Sequence, residues 1–268
     1  MEIMEVSKIN LKKGFVEVYN FGDIKLHAYQ TNDFMYDECF ILENNNNVLL
    51  LEFPAFHSNL GEFEEYVKGL NKNIVGKVFS DHPNGGVSIL KNVKNYASQG
   101  TINSMTSGTI KHLDDGFVQS FGEDFDEKLP VITDVLKDNK VNIGGFDLNI
   151  SYHDENIEIE FPQINCVYTH MLGHDCHSIV AGEEHAKIMI KQLEGYKEKG
   201  YNLVLSSHYT PETLSDVDTK IAYLKNLVEI AKECNDIDEF KNKVKEEYPN
   251  YSGVNYLDMT AGYFFQQK

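Results

Sequence analysis

The chain has 268 residues, of which 41% are hydrophobic and 25% charged, with a formal net charge of −18. That length allows one large core or two small ones, and the acidic balance disfavours nucleic-acid phosphates and anionic membranes as partners. No apolar run is long enough to span a bilayer and MEIMEVSKINLKKG lacks the apolar segment of a signal peptide, so a cytoplasmic location is expected.

In chain order, Phe15–Tyr19, Ile24–Tyr29 and Cys39–Leu42 read as short strands, and the apolar run Val48–Phe53 as a buried one. Asn44–Asn47 is a tight turn, because asparagine tolerates left-handed backbone angles. A helix follows. Asn59 and Glu62 have the spacing of a capping box, and Phe63, Tyr66, Val67 and Leu70 form one apolar face. Ile74–Phe79 is a strand, Ser80–Gly86 a loop and Val87–Ala97 a helix packed back on the sheet. Residues 99–130, punctuated by glycines and acidic groups, predict a long connection with a short strand or two. Strands return at Val141–Ile150, Ile157–Phe161 and Ile164–Thr169. In the second of these Ile157, Ile159 and Phe161 alternate with glutamates. A helix over about Glu183–Lys199, a strand at Leu203–Ser206 and helices over Asp216–Cys234 and Ile237–Glu247 complete the pattern, and the aromatic tail YSGVNYLDMTAGYFF is expected to pack down. No repeat or linker divides the chain, which predicts a single domain over residues 1–268 with a C-terminal helical extension from about residue 216.

Three stretches carry the candidate chemistry: SDHPNGG at Ser80–Gly86, YTHMLGHDCHS at Tyr168–Ser178 and LVLSSHYTP at Leu203–Pro211. Each places histidine after a strand-like run, and between them they hold His82, His170, His174, His177 and His208. Imidazole is the commonest protein ligand for zinc and iron, and loops at strand ends can converge on one ion. Asp81 beside His82 adds a hard anionic ligand or a base, so the pair suits zinc, iron or manganese. Asp175 has the chemistry to orient an imidazole, and Tyr209 beside His208 is a candidate hydrogen-bond donor. The bland alternatives are that Asp81 caps a following helix and that one of His170 and His177 is a packing residue. Cys39, Cys166, Cys176 and Cys234 form no CxxC pair and are expected to be reduced, with Cys176 placed to be a ligand between His174 and His177.

LGHDCHSIVAG resembles the PGHTPGSxxL segment of the metallo-β-lactamase-fold hydrolases, SSHYTP resembles the segment bearing that family's last histidine ligand, and FSDHPNGG resembles a worn THxHxDHxGG. ENNNNVLLLEFP is similar to the family's early strand, vLiDtG. The resemblance runs from about Cys39 to His208. It implies a four-layer αββα sandwich, two mixed β-sheets flanked by helices, and a metal site at His82, His174 and His208. Two registers fit the first segment: Asp81–His82 matches the family's DH pair, or His82–Pro83–Asn84 matches HxD with Asn84 replacing the aspartate. Glu183 stands near the place of the family's bridging aspartate, and His177 stands where a small residue is usual and adds a ligand of its own.

The function so implied is a metal-dependent hydrolase with one or two ions, zinc or else iron or manganese. Its substrate would be a small ester, thioester, lactone or phosphoester, with self-association into a homo-oligomer left open. The depleted first segment leaves two other readings: a sandwich that has lost hydrolysis and binds a ligand or partner, or an iron-dependent redox or oxygen-using protein.

Overall fold

The computed structural model describes residues 6–171 and 173–265. They form two compact units, Met1–His170 with Leu205–Thr210, and Met171–Val204 with Pro211–Lys268.

The first unit is built on two sheets. Strands β1 (Val6–Asn10), β2 (Phe15–Asn20), β3 (Lys25–Gln30), β4 (Glu38–Glu43), β5 (Asn47–Leu51), β6 (Asn73–Val78), β7 (Asn95–Ser98) and β8 (Asp134–Leu136) lie in that order in one sheet. Neighbours are antiparallel as far as β5 and parallel from there to β8. A parallel pair needs a crossover, and α1 (His57–Gly69) supplies it between β5 and β6. The second sheet has the order β13-β12-β11-β10-β9, from β9 (Lys140–Ile143), β10 (Phe146–Tyr152), β11 (Ile157–Phe161), β12 (Cys166–Thr169) and β13 (Leu203–Ser206), of which Leu205–Ser206 belong to this unit.

Strand periodicity explains how both faces of the first sheet are covered. Successive side chains point to opposite faces. On β4, Cys39 and Ile41 join Phe63 and Val67 of α1 in one core cluster, while Phe40 between them meets Tyr168 of β12, ring centroids 6.1 Å apart. Each large apolar side chain so buried contributes about 1.5–3 kcal/mol. On β11, the apolar residues of the alternating pattern are buried and the glutamates half-exposed.

Four local expectations need correction. Helix α1 begins two residues before Asn59, with Phe56 in the N-cap place. Asn59 is instead buried and donates to Tyr29 Oη and Thr31 O, while Glu62 accepts from the Lys13 and Gly14 amides and the Tyr29 hydroxyl. Residues 87–97 are not a helix. Leu90 and Asn92 take positive φ, the turn is pinned by buried Lys77 Nζ on Gly86 O and Ile89 O, and the segment ends in β7. Residues 99–130 carry helices α2 (Gln99–Ser107) and α3 (Thr109–Phe121), not strands, because Ser98 caps α2 through the Thr101 amide and the glycines fall at or near helix ends or face open space. The run Val141–Ile150 is two strands, since Gly144 and Gly145 both take positive φ and turn it into a hairpin.

The second unit carries α4 (Glu183–Lys199), α5 (Leu214–Glu233), α6 (Ile237–Glu247) and α7 (Val254–Phe265), the last formed by the aromatic tail. Asp236 caps α6 through the Glu239 amide, and Phe240 packs its ring against Phe264 and Phe265. Lys220 of α5 is fully buried and donates to Gly173 O and Cys176 O. All four cysteines are buried, and no disulfide joins them. No helix among the described residues is long and apolar enough to cross a membrane.

Candidate metal centre

His82, His170 and His208 come together in the first unit. One ring nitrogen of each lies within 4.8 Å of the others. His82 follows β6, His170 directly follows β12 and His208 follows β13, so three strand ends deliver them. The Nε2 atoms of His82 and His170 are 3.4 Å apart. Two nitrogens at the usual zinc distance in tetrahedral geometry stand about 3.3 Å apart, so this pair is already spaced for one ion. His208 is buried, His82 half-buried and His170 exposed, which leaves the cluster open on the His170 side.

The Nδ1 atoms of His208 and His82 both have partners. His208 Nδ1 lies 2.9 Å from Met35 O. A carbonyl only accepts, so Nδ1 carries the proton and Nε2 keeps its lone pair for the cluster. His82 Nδ1 is 3.0 Å from Asp37 Oδ1, which is also 3.4 Å from His208 Nδ1. Asp37 is 1% exposed, and neither of its carboxylate oxygens makes a hydrogen bond of good geometry. A buried carboxylate in that condition is costly unless cations face it. Three imidazoles with ring nitrogens within 4.8 Å of one another beside such a carboxylate fit a bound divalent cation, and zinc, with three nitrogen donors and one open position, fits the donor set.

Charge in the cluster follows from the same contacts. Burial works against protonation of His82, but Asp37, Glu52 and Asp81 outweigh it and raise its pKa to about 9. Burial holds His208 well below the ordinary histidine range, and the neighbouring His82 and His170 add to that. Asp33 accepts the Met35 and Asp37 amides at the turn bearing Asp37, and burial, aided by the Asp37 charge, lifts it to about 6.

Glu52 assembles the centre from behind. It is fully buried with φ +58, a strained left-handed backbone for a residue other than glycine. The Ser80 and Asp81 amides donate to its Oε1 at 3.1 and 2.9 Å, and the His82 amide donates to Oε2 at 2.9 Å. The Tyr168 hydroxyl donates to Oε1 at 2.6 Å and stands 2.7 Å from Ser207 Oγ, which therefore donates to it. One carboxylate thus grips the loop before His82 and, through Tyr168, the residues beside His170 and His208. Burial raises its pKa, while the His82 charge pulls it the other way.

The remaining candidates lie as follows. Asp81 Oδ2 accepts from the Ser80 hydroxyl and Oδ1 from the Asn156 amide, on the His82 loop. Asn84 is buried and donates to Asp114 Oδ1 and Asp126 O. Tyr209 takes φ +64, and its ring stacks on Tyr36 at 5.4 Å. His174, expected as a ligand, is not in the cluster. It belongs to the second unit, where its Nδ1 is 2.9 Å from Glu212 Oε1. The histidine at the strand end is His170, four residues earlier, because β12 stops at Thr169. His177 is buried beside Tyr223 and Tyr251, and Glu183, in the first turn of α4, pairs with Lys187 and Lys232. Asp37 and Glu52 are site residues outside the three histidine-bearing stretches. Asp37 lies in a loop without a motif, whereas Glu52 stands at the aspartate of the vLiDtG-like strand, a signal present in the sequence.

The sequence matches no family model and no curated protein. Among solved structures, the chain is similar to the stereoselective inverting sec-alkylsulfatase Pisa1 from Pseudomonas sp., with 15% identity and a TM-score of 0.62 over 90% of this chain and 48% of that one. It is also similar to a metallo-β-lactamase from Pontibacter korlensis, with 14% identity and a TM-score of 0.52 over 84% of this chain and 100% of that one. This chain spans about half the length of the alkylsulfatase. These likenesses join the two sheets and the strand-end histidines in one conclusion: the chain has the metallo-β-lactamase fold.

Proposed function

We propose that the chain is a metal-dependent hydrolase of a small ester, thioester, lactone, phosphoester or sulfate ester. The convergence of His82, His170 and His208 over the buried, hydrogen-bond-deficient Asp37 carboxylate carries this reading. The three Nε2 atoms would hold one ion, zinc before iron or manganese. A bound zinc ion supplies a water whose pKa falls from 15.7 to about 7. Asp37 holds the His82 ring by Nδ1 and directs Nε2 to the centre. Asp81 is the carboxylate on the same loop that would take a proton at Oδ1, and Tyr209, following His208, would donate to the bond being cleaved. The exposed His170 edge is the side on which substrate would approach. The alkylsulfatase adds sulfate esters to the substrates worth trying. One His and an Asn84 turned to Asp114 in the first loop favour a single ion over two.

Elemental analysis of purified protein, beside the His82→Ala and His170→Ala variants, tests the centre. About one metal per chain, lost in both variants, supports the reading. A metal-free protein that neither binds added zinc nor hydrolyses any of these ester classes would sink it.

A further inference from the structure

A depression of about 690 Å³ lies among the turns of the first unit. That volume is within the range of small-molecule sites, about 300–1,000 Å³. Four turns line it: Phe21 and Asp23 between β2 and β3, residues 44–47 between β4 and β5, residues 144–145 between β9 and β10, and Gln163 between β11 and β12. It is far from the metal centre. Strand β4 follows Asp37 and ends at the depression, and β12 follows Gln163 and ends at His170. At about 3.3 Å of rise per residue, β4 alone holds the two sites roughly 20 Å apart.

The walls of the depression are braced. Asn47 Nδ2 donates to Gly144 O at 2.7 Å, which ties one sheet to the other, and Gln163 Nε2 donates to Gly145 O at 3.0 Å. Asn44 Oδ1 accepts the Asn46 and Asn47 amides, and Lys72 Nζ donates to Asn45 O while pairing with Glu43. By contrast, among the described residues the side chains of Asp23, Asn45 and Asn46 make no hydrogen bond or ion pair. All three are exposed, and Phe21 on the same wall is half-buried. A fixed backbone carrying uncommitted polar groups binds at low ordering cost.

The lining selects the chemistry of the ligand. No basic residue is in it, and a net charge of −18 repels anions. Asp23 is its one carboxylate, too few for a calcium ion that takes about six to eight oxygens. Carboxamides and a carboxylate match hydroxyl groups, which both donate and accept. An aromatic ring attracts C–H groups to its face. A neutral molecule with hydroxyls at its rim and C–H groups on its face is a pyranose sugar. We propose that this depression binds the ring of a neutral pyranose, with Asp23, Asn45 and Asn46 on its hydroxyls and Phe21 against its C–H face. This site is separate from the hydrolase centre and stands or falls without it.

Calorimetry on the full chain tests the site with glucose, galactose, mannose and maltose, beside glycerol and glucose 6-phosphate. At least one of the four sugars should saturate the protein, and glycerol, which has no ring, and the charged phosphate should bind more weakly. Asp23→Ala removes hydrogen bonds to a charged group and should weaken sugar binding about tenfold or more. Phe21→Ala should weaken it about two- to tenfold. Asp23 is exposed, so its variant should keep the parent's thermal midpoint. His170→Ala should leave the sugar affinity as it is. Absence of saturable binding by all four sugars, affinity unchanged in both wall variants, or tighter binding of the phosphate than of glucose overturns the proposal. So does loss of sugar binding in His170→Ala, which would place the sugar at the histidine cluster.

Discussion

Asp37 illustrates how much a single carboxylate decides here. It is buried, lacks good hydrogen bonds and faces the Nδ1 atoms of His82 and His208, two of the three clustered histidines. Asp37→Asn keeps the shape and removes the charge. Zinc affinity should fall about 10–100-fold, read by competition with a chromophoric chelator, while the far-UV spectrum stays the same. Glu52 carries a different load. Glu52→Ala strips the partner from three amides and the Tyr168 hydroxyl in the interior. Orphaned buried donors are expensive, so a stability loss of about 3–5 kcal/mol is expected in denaturant unfolding. An unfolding midpoint within error of the parent would refute the role given to Glu52.

At the scale of elements, the loop Ser80–Gly86 is the most constrained piece of the centre. Gly85 takes φ +77, and a Cβ there would stand 1.9 Å from Pro54 O. Gly85→Ala therefore costs about 1–3 kcal/mol in backbone strain alone, with the backbone collision added. Because His82 is on this loop, zinc affinity and thermal midpoint should fall together. A loss of midpoint with zinc affinity intact would show that the loop does not set the position of His82. Helix α3 is the opposite case: Asp114 is its one buried residue, so single substitutions at its exposed positions should change stability by about 0.5 kcal/mol or less.

For the whole molecule, pH and metal are the two external controls. His177 of the second unit is buried beside Tyr223, and burial first, then Lys220 and Lys245, hold its pKa down to about 4. The folded form therefore keeps His177 neutral where the unfolded chain, with a histidine pKa of about 6.5, binds a proton. Its contribution is fully present above about pH 6.5 and is lost as pH falls towards 4. His177→Phe should shallow the fall in thermal midpoint across that window; an equally steep fall in the variant would assign it to other groups. Metal acts by mass action. Zinc at about 100 times its Kd should add about 2.7 kcal/mol to the first unit, a rise in midpoint that a chelator reverses and that His208→Ala does not show.

The sequence by itself determined the layers and the chemistry available. Alternation on β11, the apolar run of β5 and the periodic face of α1 are local patterns set by where Cβ points, and they are read without knowing the neighbours. So is the recurrence of histidine at strand ends, which placed His82 and His208. What only the tertiary structure decided was which groups meet. His170 and not His174 joins the cluster because β12 ends at Thr169, and a boundary of that kind depends on sheet pairing. Asp37 became a site residue because a turn folds it under His82, 45 positions away. Asn59 and Glu62, which look like a cap in the chain, serve Tyr29 and the β1–β2 turn instead. Long-range hydrogen bonds leave no periodic trace in the sequence, because each partner is chosen by the fold that brings it close.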